Sequence, residues 1–152
     1  MGSSTEKSSK DQQWIYLTGK EIYQFYRRIK GRLQGVHVYA LVGKSGTGKS
    51  FRAKLLAEKL GVPFIIDDGL LIHDNTILAG KSAKQEKNYI SAIKTALFAD
   101  EEHRKSVVDK IQEKKVKKIL LLGTSEKMVI KLAEVLELPP ISQMITIEEI
   151  AS

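Results

Sequence analysis

The sequence contains no cysteine, only three prolines and only three histidines. Without cysteine, the composition does not indicate a redox compartment, and scattered histidines without cysteine argue against a zinc site. No apolar run approaches the roughly 20 residues that a membrane-spanning helix needs, and no signal-peptide pattern opens the chain. We therefore expect a cytoplasmic protein without a membrane segment.

Arginine is also scarce in the second half of the chain, where Arg104 is the only one after Arg52. Lysine supplies most of the positive charge behind the formal net charge of +7. A basic chain can favour nucleic acid, but no motif that combines aromatic and basic side chains for RNA binding is present. We therefore interpret the basic residues of 27–32 and 114–118 as solvated surface, with nucleic-acid binding as the less favoured alternative.

The composition is that of an ordinary globular domain. Of 152 residues, 42% are hydrophobic and 28% are charged, which suits one domain with a real core. Residues 1–13 are polar and rich in serine and lysine, so we interpret them as a disordered tail. Residues 14–152 are then expected to form one folded domain.

The most informative stretch is an apolar run, residues 36–42, that leads into a turn of the form G-x-x-x-x-G-K-[ST]. Glycine allows backbone conformations that a Cβ would hinder, so successive N–H groups can surround a phosphate. The helix that follows adds unpaired N–H groups and the positive end of its dipole. The predicted nucleotide-binding residues are Gly43, Lys44, Ser45, Gly46, Thr47, Gly48, Lys49, Ser50 and Phe51.

Lys49 and Ser50 carry the predicted chemistry of this turn. Lys49 can reach the β- and γ-phosphates and stabilise charge on the transferring group, and the Ser50 hydroxyl can ligate Mg²⁺. The motif resembles the Walker A motif of the P-loop NTPase superfamily, over about residues 36–68. The resemblance implies binding of ATP or GTP with Mg²⁺. No guanine-reading N/T-K-x-D motif follows a strand, which favours ATP.

Asp67 and Asp68 follow the second predicted strand, Phe64-Ile-Ile66. Ligands of open α/β sheets bind outside the carboxyl ends of the strands, so this pair should lie near the P-loop. We predict both as catalytic residues together with Lys49, and Asp67 with Ser50 on the metal side. The alternative is a solvated turn, because Asp-Gly is common in turns. An acid after the second strand resembles P-loop kinases of small molecules, although the scarcity of arginine departs from that group.

Two further stretches have an alternative structural interpretation. Residues 80–84 form a glycine-led basic loop that can close over phosphates, or is only a surface connection. Thr124 and Ser125 follow the third predicted strand, where hydroxyls resemble the sensor positions of ATPases. Capping of the next helix explains the same residues, and we prefer that interpretation.

Apolar periodicity predicts the fold class. Helices are expected over 19–33, after the P-loop, over 87–98, 101–113 and 126–136, and strands over 36–42, 64–66, 116–122 and 143–146. This alternation predicts a three-layer α/β fold with a mostly parallel sheet of four or more strands, the P-loop NTPase fold. A capping-box pattern begins at Thr146 close to the last residue, so we expect a longer parent protein.

These features favour an ATP- or GTP-binding protein that uses Mg²⁺ for phosphoryl transfer or hydrolysis, either as an ATPase or as a small-molecule or nucleotide kinase. The competing hypothesis is a nucleotide-regulated binding module, which hydrolyses slowly and switches its contacts with a protein or nucleic acid. A placed base favours the enzyme, whereas the scarcity of arginine favours the switch. The sequence identifies neither an acceptor substrate nor an oligomeric state.

Overall fold

The computed structural model describes residues 18–33, 35–44 and 46–148. The predicted tail of residues 1–13, the apolar run of residues 14–17 and Ser45 lie outside the described residues. So do the side chains of the basic residues at positions 27, 28, 30 and 32. Within the described part of the chain, no helix combines the length and apolar character required to cross a bilayer.

The described residues alternate between helices and strands. The helices are α1 (Gly19–Leu33), α2 (Lys49–Leu60), α3 (Tyr89–Ala96), α4 (Glu101–Glu113) and α5 (Glu126–Val135), with a short 3₁₀ turn at Ala83–Gln85. The strands are β1 (His37–Val42), β2 (Phe64–Asp67), β3 (Leu70–His73), β4 (Thr76–Gly80), β5 (Lys118–Gly123) and β6 (Gln143–Thr146).

The strands form one mixed sheet in the order β4-β3-β2-β5-β1-β6. Strands β2, β5, β1 and β6 run parallel to one another, whereas β3 pairs antiparallel with both β2 and β4 at one edge of the sheet. Because β5 lies between β1 and β2, the P-loop and the Asp67-Asp68 turn leave the sheet two strand positions apart. The mostly parallel α/β sheet predicted from the sequence is confirmed.

The sequence pattern does not predict the hairpin of β3 and β4. Its strands have four and five residues, and β4 is partly exposed, so neither shows a clear period of two. A two-residue loop joins them, in which Asp74 and Asn75 both have positive φ, 46° and 69°. Positive φ at both loop positions is typical of the tight hairpin turns that match the twist of strands.

Helices cover both faces of the sheet and give the expected three layers. On one face α2 packs through Ala53 and Ala57, against Leu41 of β1 and Leu120 of β5. On the other face α4 and α5 bury a larger cluster against the sheet, which includes Val107, Val108, Ile111, Val129, Leu132, Val38, Ala40, Ile119 and Leu121. The two clusters fix the carboxyl ends of β1, β2 and β5 relative to one another.

Side-chain caps mark the starts of helices α1, α3, α4 and α5. The Thr18 hydroxyl accepts from Glu21 N–H at 3.2 Å, and the Glu21 carboxylate accepts from Thr18 N–H at 3.1 Å, as a capping box requires. Asp100 and Ser125 cap α4 and α5, so capping by Ser125 is confirmed. Helix α3 is shorter than the expected 87–98, because Asn88 caps its start and Phe98 has a φ of 57°.

Candidate nucleotide-binding site

The turn between β1 and α2 has the backbone geometry of a phosphate cradle. Gly46 and Gly48 have φ values of 83° and 72°, and a Cβ on either would meet no atom within 4 Å. The Thr47 hydroxyl donates to the Lys44 carbonyl at 2.7 Å and closes the turn. Helix α2 begins at Lys49 without a side-chain cap, so its first N–H groups are available to an anionic ligand.

The end of β1 holds this turn against its neighbouring strands. Gly43 N–H donates to the Gly123 carbonyl of β5 at 3.1 Å. A Cβ at Gly43 would lie 2.7 Å from the Ile147 side chain, just beyond β6. Gly43 therefore serves close packing at the base of the loop, while Gly46 and Gly48 provide the conformations of its tip.

Lys49 lies at the centre of the loop. Its Nζ donates to the Gly43 carbonyl at 3.1 Å, so the side chain folds back over the P-loop. Burial lowers the pKa of the Lys49 ammonium, and the carboxylates of Asp67 and Asp68 oppose this change. The Lys49 ammonium and both carboxylates therefore lie within electrostatic reach of one another.

The Ser50 hydroxyl donates to Asp67 Oδ2 at 2.9 Å. The two residues are separated by 17 positions in sequence and come from different elements, the first turn of α2 and the end of β2. The contact thus joins the P-loop to the acidic turn. This hydrogen bond brings together Ser50 and Asp67, the two residues predicted on the metal side.

Asp68 is in a different environment from Asp67. Its Oδ2 is buried and has no hydrogen-bond partner among the described residues. Burial and the neighbouring Asp67 raise the pKa of the Asp68 carboxyl, while Lys84 and Lys49 oppose the increase. Its backbone has a φ of 54°, a conformation that aspartate tolerates better than most residues. A carboxylate with a raised pKa and a vacant acceptor oxygen can accept a proton from a ligand.

The acidic turn is fixed from behind by close backbone contacts. A Cβ at Gly69 would lie 2.3 Å from the Lys81 carbonyl, and one at Gly80 would lie 2.2 Å from the Gly69 carbonyl. Ala83 N–H also donates to the Asp68 carbonyl at 2.9 Å. The loop of residues 80–85 is therefore packed directly on the Asp68-Gly69 turn.

His103 secures the same contact and was not expected from the sequence. Its Nε2 lies 2.8 Å from the Gly69 carbonyl and 3.2 Å from Lys81 N–H, and its ring stacks on Phe98 at 4.6 Å. The side chain is 6% exposed. A single histidine in the first turn of an amphipathic helix carries no sequence signal of such a role, since its partners are backbone atoms of a distant turn.

These elements enclose a cleft of about 1220 Å³. Phe51 lines it and is 70% exposed. Of the other predicted residues, the cleft is lined by Lys44, Gly46, Gly48, Lys49, Ser50, Asp67 and Asp68. Gly43 and Thr47 support the loop without lining the cleft, and Ser45 lies outside the described residues. Thr124 also lines the cleft, beside the capping residue Ser125.

The outer part of the cleft has an apolar wall and a basic wall. Helix α3 contributes the apolar side chains of Tyr89, Ile93 and Leu97, and α5 contributes Lys127 and Lys131. Lys84 lies on the side of the acidic turn. No arginine is among the described residues that line the cleft. Arg104 instead donates to the Phe98 carbonyl at 3.0 Å.

The residues at the head of the cleft suit Mg²⁺ rather than a transition metal. The described residues contain no group of three or more histidine, cysteine or acidic side chains that could hold a metal by themselves. Mg²⁺ does not need one, because it is commonly held by one or two protein oxygens together with substrate phosphates. The bonded pair of Ser50 and Asp67 offers a hydroxyl and a carboxylate at the N-terminus of α2, which fits that donor set.

Comparison with known proteins gives one finding. Residues 39–150 match the model of the ATPase family associated with various cellular activities (AAA). The matched stretch contains the P-loop, both aspartates and β5, and it is more than half of the 152 residues. No curated protein and no solved structure matches the chain significantly. The chain belongs to the AAA family of ATPases and is an ATP-binding P-loop NTPase.

Proposed function

We propose that the protein hydrolyses ATP in a Mg²⁺-dependent reaction at the cleft between the P-loop and the Asp67-Asp68 turn. The observation that carries the proposal is the 2.9 Å hydrogen bond between Ser50 and Asp67. It brings a P-loop hydroxyl and a strand-end carboxylate together where phosphates would meet the metal ion. A bound Mg²⁺ would neutralise charge on the β- and γ-phosphates.

Asp67 and Asp68 have different proposed roles, because their environments differ. Asp67, hydrogen-bonded to the Ser50 hydroxyl, belongs to the metal side, where its carboxylate and that hydroxyl would hold the ion or its water ligands. Asp68 has a raised pKa and an oxygen without a partner, so it orients the attacking water and accepts its proton. Neighbouring acids whose environments differ are a recurrent arrangement for acid–base chemistry.

Water is the proposed acceptor. A kinase of the type considered from the sequence would draw on several arginines around the transferring phosphoryl group, and no described arginine lines this cleft. Membership of an ATPase family also favours hydrolysis. The apolar wall of α3 leaves room beside the phosphates, but it presents no group that singles out an acceptor.

The test is a measurement of phosphate release from ATP by the wild-type chain, with Mg²⁺ and after addition of EDTA. We expect turnover only with Mg²⁺, and a loss of at least about tenfold in Asp67→Asn and Ser50→Ala, since each removes one oxygen from the metal side. Asp74→Asn is the matched control, because it changes an exposed aspartate in a different turn. Turnover that survives EDTA, or that is equal in Asp67→Asn and Asp74→Asn, would contradict the proposal.

The alternative function, a nucleotide-regulated binding module, is favoured by one observation. Helix α1 leaves Ile22, Phe25 and Tyr26 between 54% and 59% exposed, and a face of this kind is suited to contact with another protein. Helix α1 precedes β1 and the P-loop in the chain. Tight ATP binding with turnover slower than about one per hour, unchanged by Asp68→Asn, would promote this alternative over the enzyme.

A further inference from the structure

We propose that Lys84 supplies, from within the same chain, the second cation that faces the γ-phosphate, opposite Lys49. The inference rests on the proposed function and adds a catalytic residue to it. In this arrangement the P-loop lysine approaches the phosphates from one wall of the cleft. Lys84 approaches the transferring group from the other wall, beside Asp68.

The first observation is the position of Lys84. It lines the cleft together with Lys49, Ser50 and Thr124. The positive charges of Lys84 and Lys49 both act on the Asp68 carboxyl. Both ammonium groups are therefore within electrostatic reach of the same carboxylate. Lys127 and Lys131, on α5, have no such effect on Asp68.

The second observation is that the loop carrying Lys84 is packed tightly on the acidic turn. Gly69 and Gly80 are in van der Waals contact through their backbones, so close that a Cβ on either would overlap a carbonyl oxygen. His103 Nε2 lies within hydrogen-bond distance of both the Gly69 carbonyl and Lys81 N–H, and its tautomer decides which of the two it bonds. Such contacts fix the loop backbone, and the Lys84 side chain is exposed. A long, flexible lysine side chain on a fixed loop can reach the phosphoryl group during transfer.

The third observation concerns the turn immediately around Lys84. Its N–H donates to the Ser82 hydroxyl at 3.1 Å, and Ala83 N–H donates to the Asp68 carbonyl at 2.9 Å. Ala83 is itself buried, so the residue before the lysine is packed on the domain. These contacts hold the backbone at the position of Lys84, and the residue lines the cleft.

A cation near the transferring group favours phosphoryl transfer. Negative charge spreads over the oxygens of the transferring group, and catalysis is mostly positioning and electrostatic stabilisation of that charge. Lys49 is tied to the P-loop, and no described arginine lines the cleft. Lys84 is the cation on the opposite wall that lies beside the proposed base. A lysine acts there as a point charge and needs no bidentate geometry.

The test compares Lys84→Ala and Lys84→Arg with Lys87→Ala, a matched control in the same exposed stretch that does not line the cleft. For Lys84→Ala we expect a fall in kcat of about 10²–10³-fold, the usual effect of losing one preorganised charge-stabilising group. The Kd for ATP should change by less than about threefold, because Lys49 and the loop backbone still bind the phosphates. Lys84→Arg should recover at least about a tenth of the activity, because it keeps the charge.

A second readout separates transition-state contact from an indirect effect. Binding of ADP with aluminium fluoride, which mimics the transferring group, should weaken in Lys84→Ala by about the same factor as kcat, whereas ADP alone should bind as before. If Lys84 acts only through Asp68, affinity for the mimic stays unchanged and the pH profile of kcat moves to higher pH. That result, or turnover of Lys84→Ala within about threefold of wild type, would overturn the inference.

The outcomes for the wild type distinguish this inference from the function on which it rests. Normal Mg²⁺-dependent turnover with an unaffected Lys84→Ala variant removes the role of Lys84 and leaves the proposed hydrolysis standing. Binding of ATP without any turnover by the wild type overturns the proposed hydrolysis, and the role of Lys84 falls with it. A thermal melt of each variant shows whether the fold is intact.

Discussion

Glycines on the two walls of the cleft have positive φ for different physical reasons. On the P-loop wall, Gly46 and Gly48 stand in open space, and a Cβ there would meet no atom within 4 Å. On the wall of the acidic turn, Gly69 and Gly80 are pressed together, and a Cβ would lie about 2.2–2.3 Å from a carbonyl oxygen. The first pair leaves room for a ligand, whereas the second pair locks one loop on another.

The walls also differ in charge. The P-loop wall offers N–H groups, the start of a helix and Lys49, all of which favour an anion. The opposite wall offers Asp67 and Asp68, with Lys84 beside them. The first wall suits a polyphosphate, and the second wall holds the groups that we propose to act on it. The comparison suggests that substitutions on the two walls separate binding from turnover.

The largest expected effect is on turnover, in Asp68→Asn. A general base contributes about 10²–10⁴-fold to rate, so we expect kcat to fall by that factor. ATP affinity should remain within about threefold, because the P-loop wall is intact. The measurement is phosphate release under saturating ATP, with nucleotide binding by calorimetry. Asp74→Asn, in the hairpin turn, provides the control for loss of an aspartate with positive φ. A fall in affinity that matches the fall in kcat would contradict the division between the walls.

A second prediction concerns the stability of the two kinds of glycine. Gly69→Ala places a Cβ against the Lys81 carbonyl at a φ of 91°, so strain and overlap should together cost about 2–5 kcal/mol. Gly46→Ala, at a φ of 83° in open space, should cost only the strain, about 1–2 kcal/mol. Urea unfolding of both variants measures the difference. Equal losses of unfolding free energy in the two variants would show that the close packing at Gly69 does not constrain the acidic turn.

The two walls were not equally predictable from sequence. The P-loop wall is local: strand, turn and helix are consecutive, and each residue type follows from the phosphate it surrounds. The predicted proximity of Asp67 to the P-loop followed from the general rule for strand ends. The packing behind the acidic turn is non-local, because it joins the backbones of Gly69 and Gly80 and the imidazole of His103. Such contacts leave no pattern in the sequence, and short strands such as β3 and β4 give little periodicity.

The third prediction tests the P-loop wall by its charge. Lys49→Ala should weaken binding of MgATP by about 10–100-fold, since a hydrogen bond to a charged group contributes about 1.5–3 kcal/mol. Lys59→Ala, in the last turn of the same helix, is the control and should bind as the wild type does. Calorimetry with MgATP measures both. Unchanged affinity for MgATP in Lys49→Ala would show that the P-loop is not the nucleotide-binding site.

The smallest expected effect is on the free energy of unfolding, which the charged Asp68 carboxylate lowers. Burial and Asp67 raise the pKa of this carboxyl in the folded state above its ordinary value of 3.8. A carboxyl with a raised folded pKa contributes stability when protonated, below its unfolded pKa, and this contribution is lost as pH rises through the folded pKa. At neutral pH the charged carboxylate therefore destabilises the fold, although its partial exposure limits the cost to about 1 kcal/mol or less.

Asp68→Asn should consequently be slightly more stable than the wild type at pH 7, by about 1 kcal/mol or less, although it is the variant with the greatest loss of turnover. The advantage should vanish about one pH unit below the ordinary pKa of 3.8, where the wild-type carboxyl is protonated in both states. Urea unfolding at the two pH values measures it, with Asp74→Asn as the control for removing a carboxylate from a turn. Asparagine also tolerates the positive φ of this position, so backbone strain does not obscure the comparison. A variant that is less stable than the wild type at pH 7 would show that the Asp68 charge supports the acidic turn, and that no stability is given up there for catalysis.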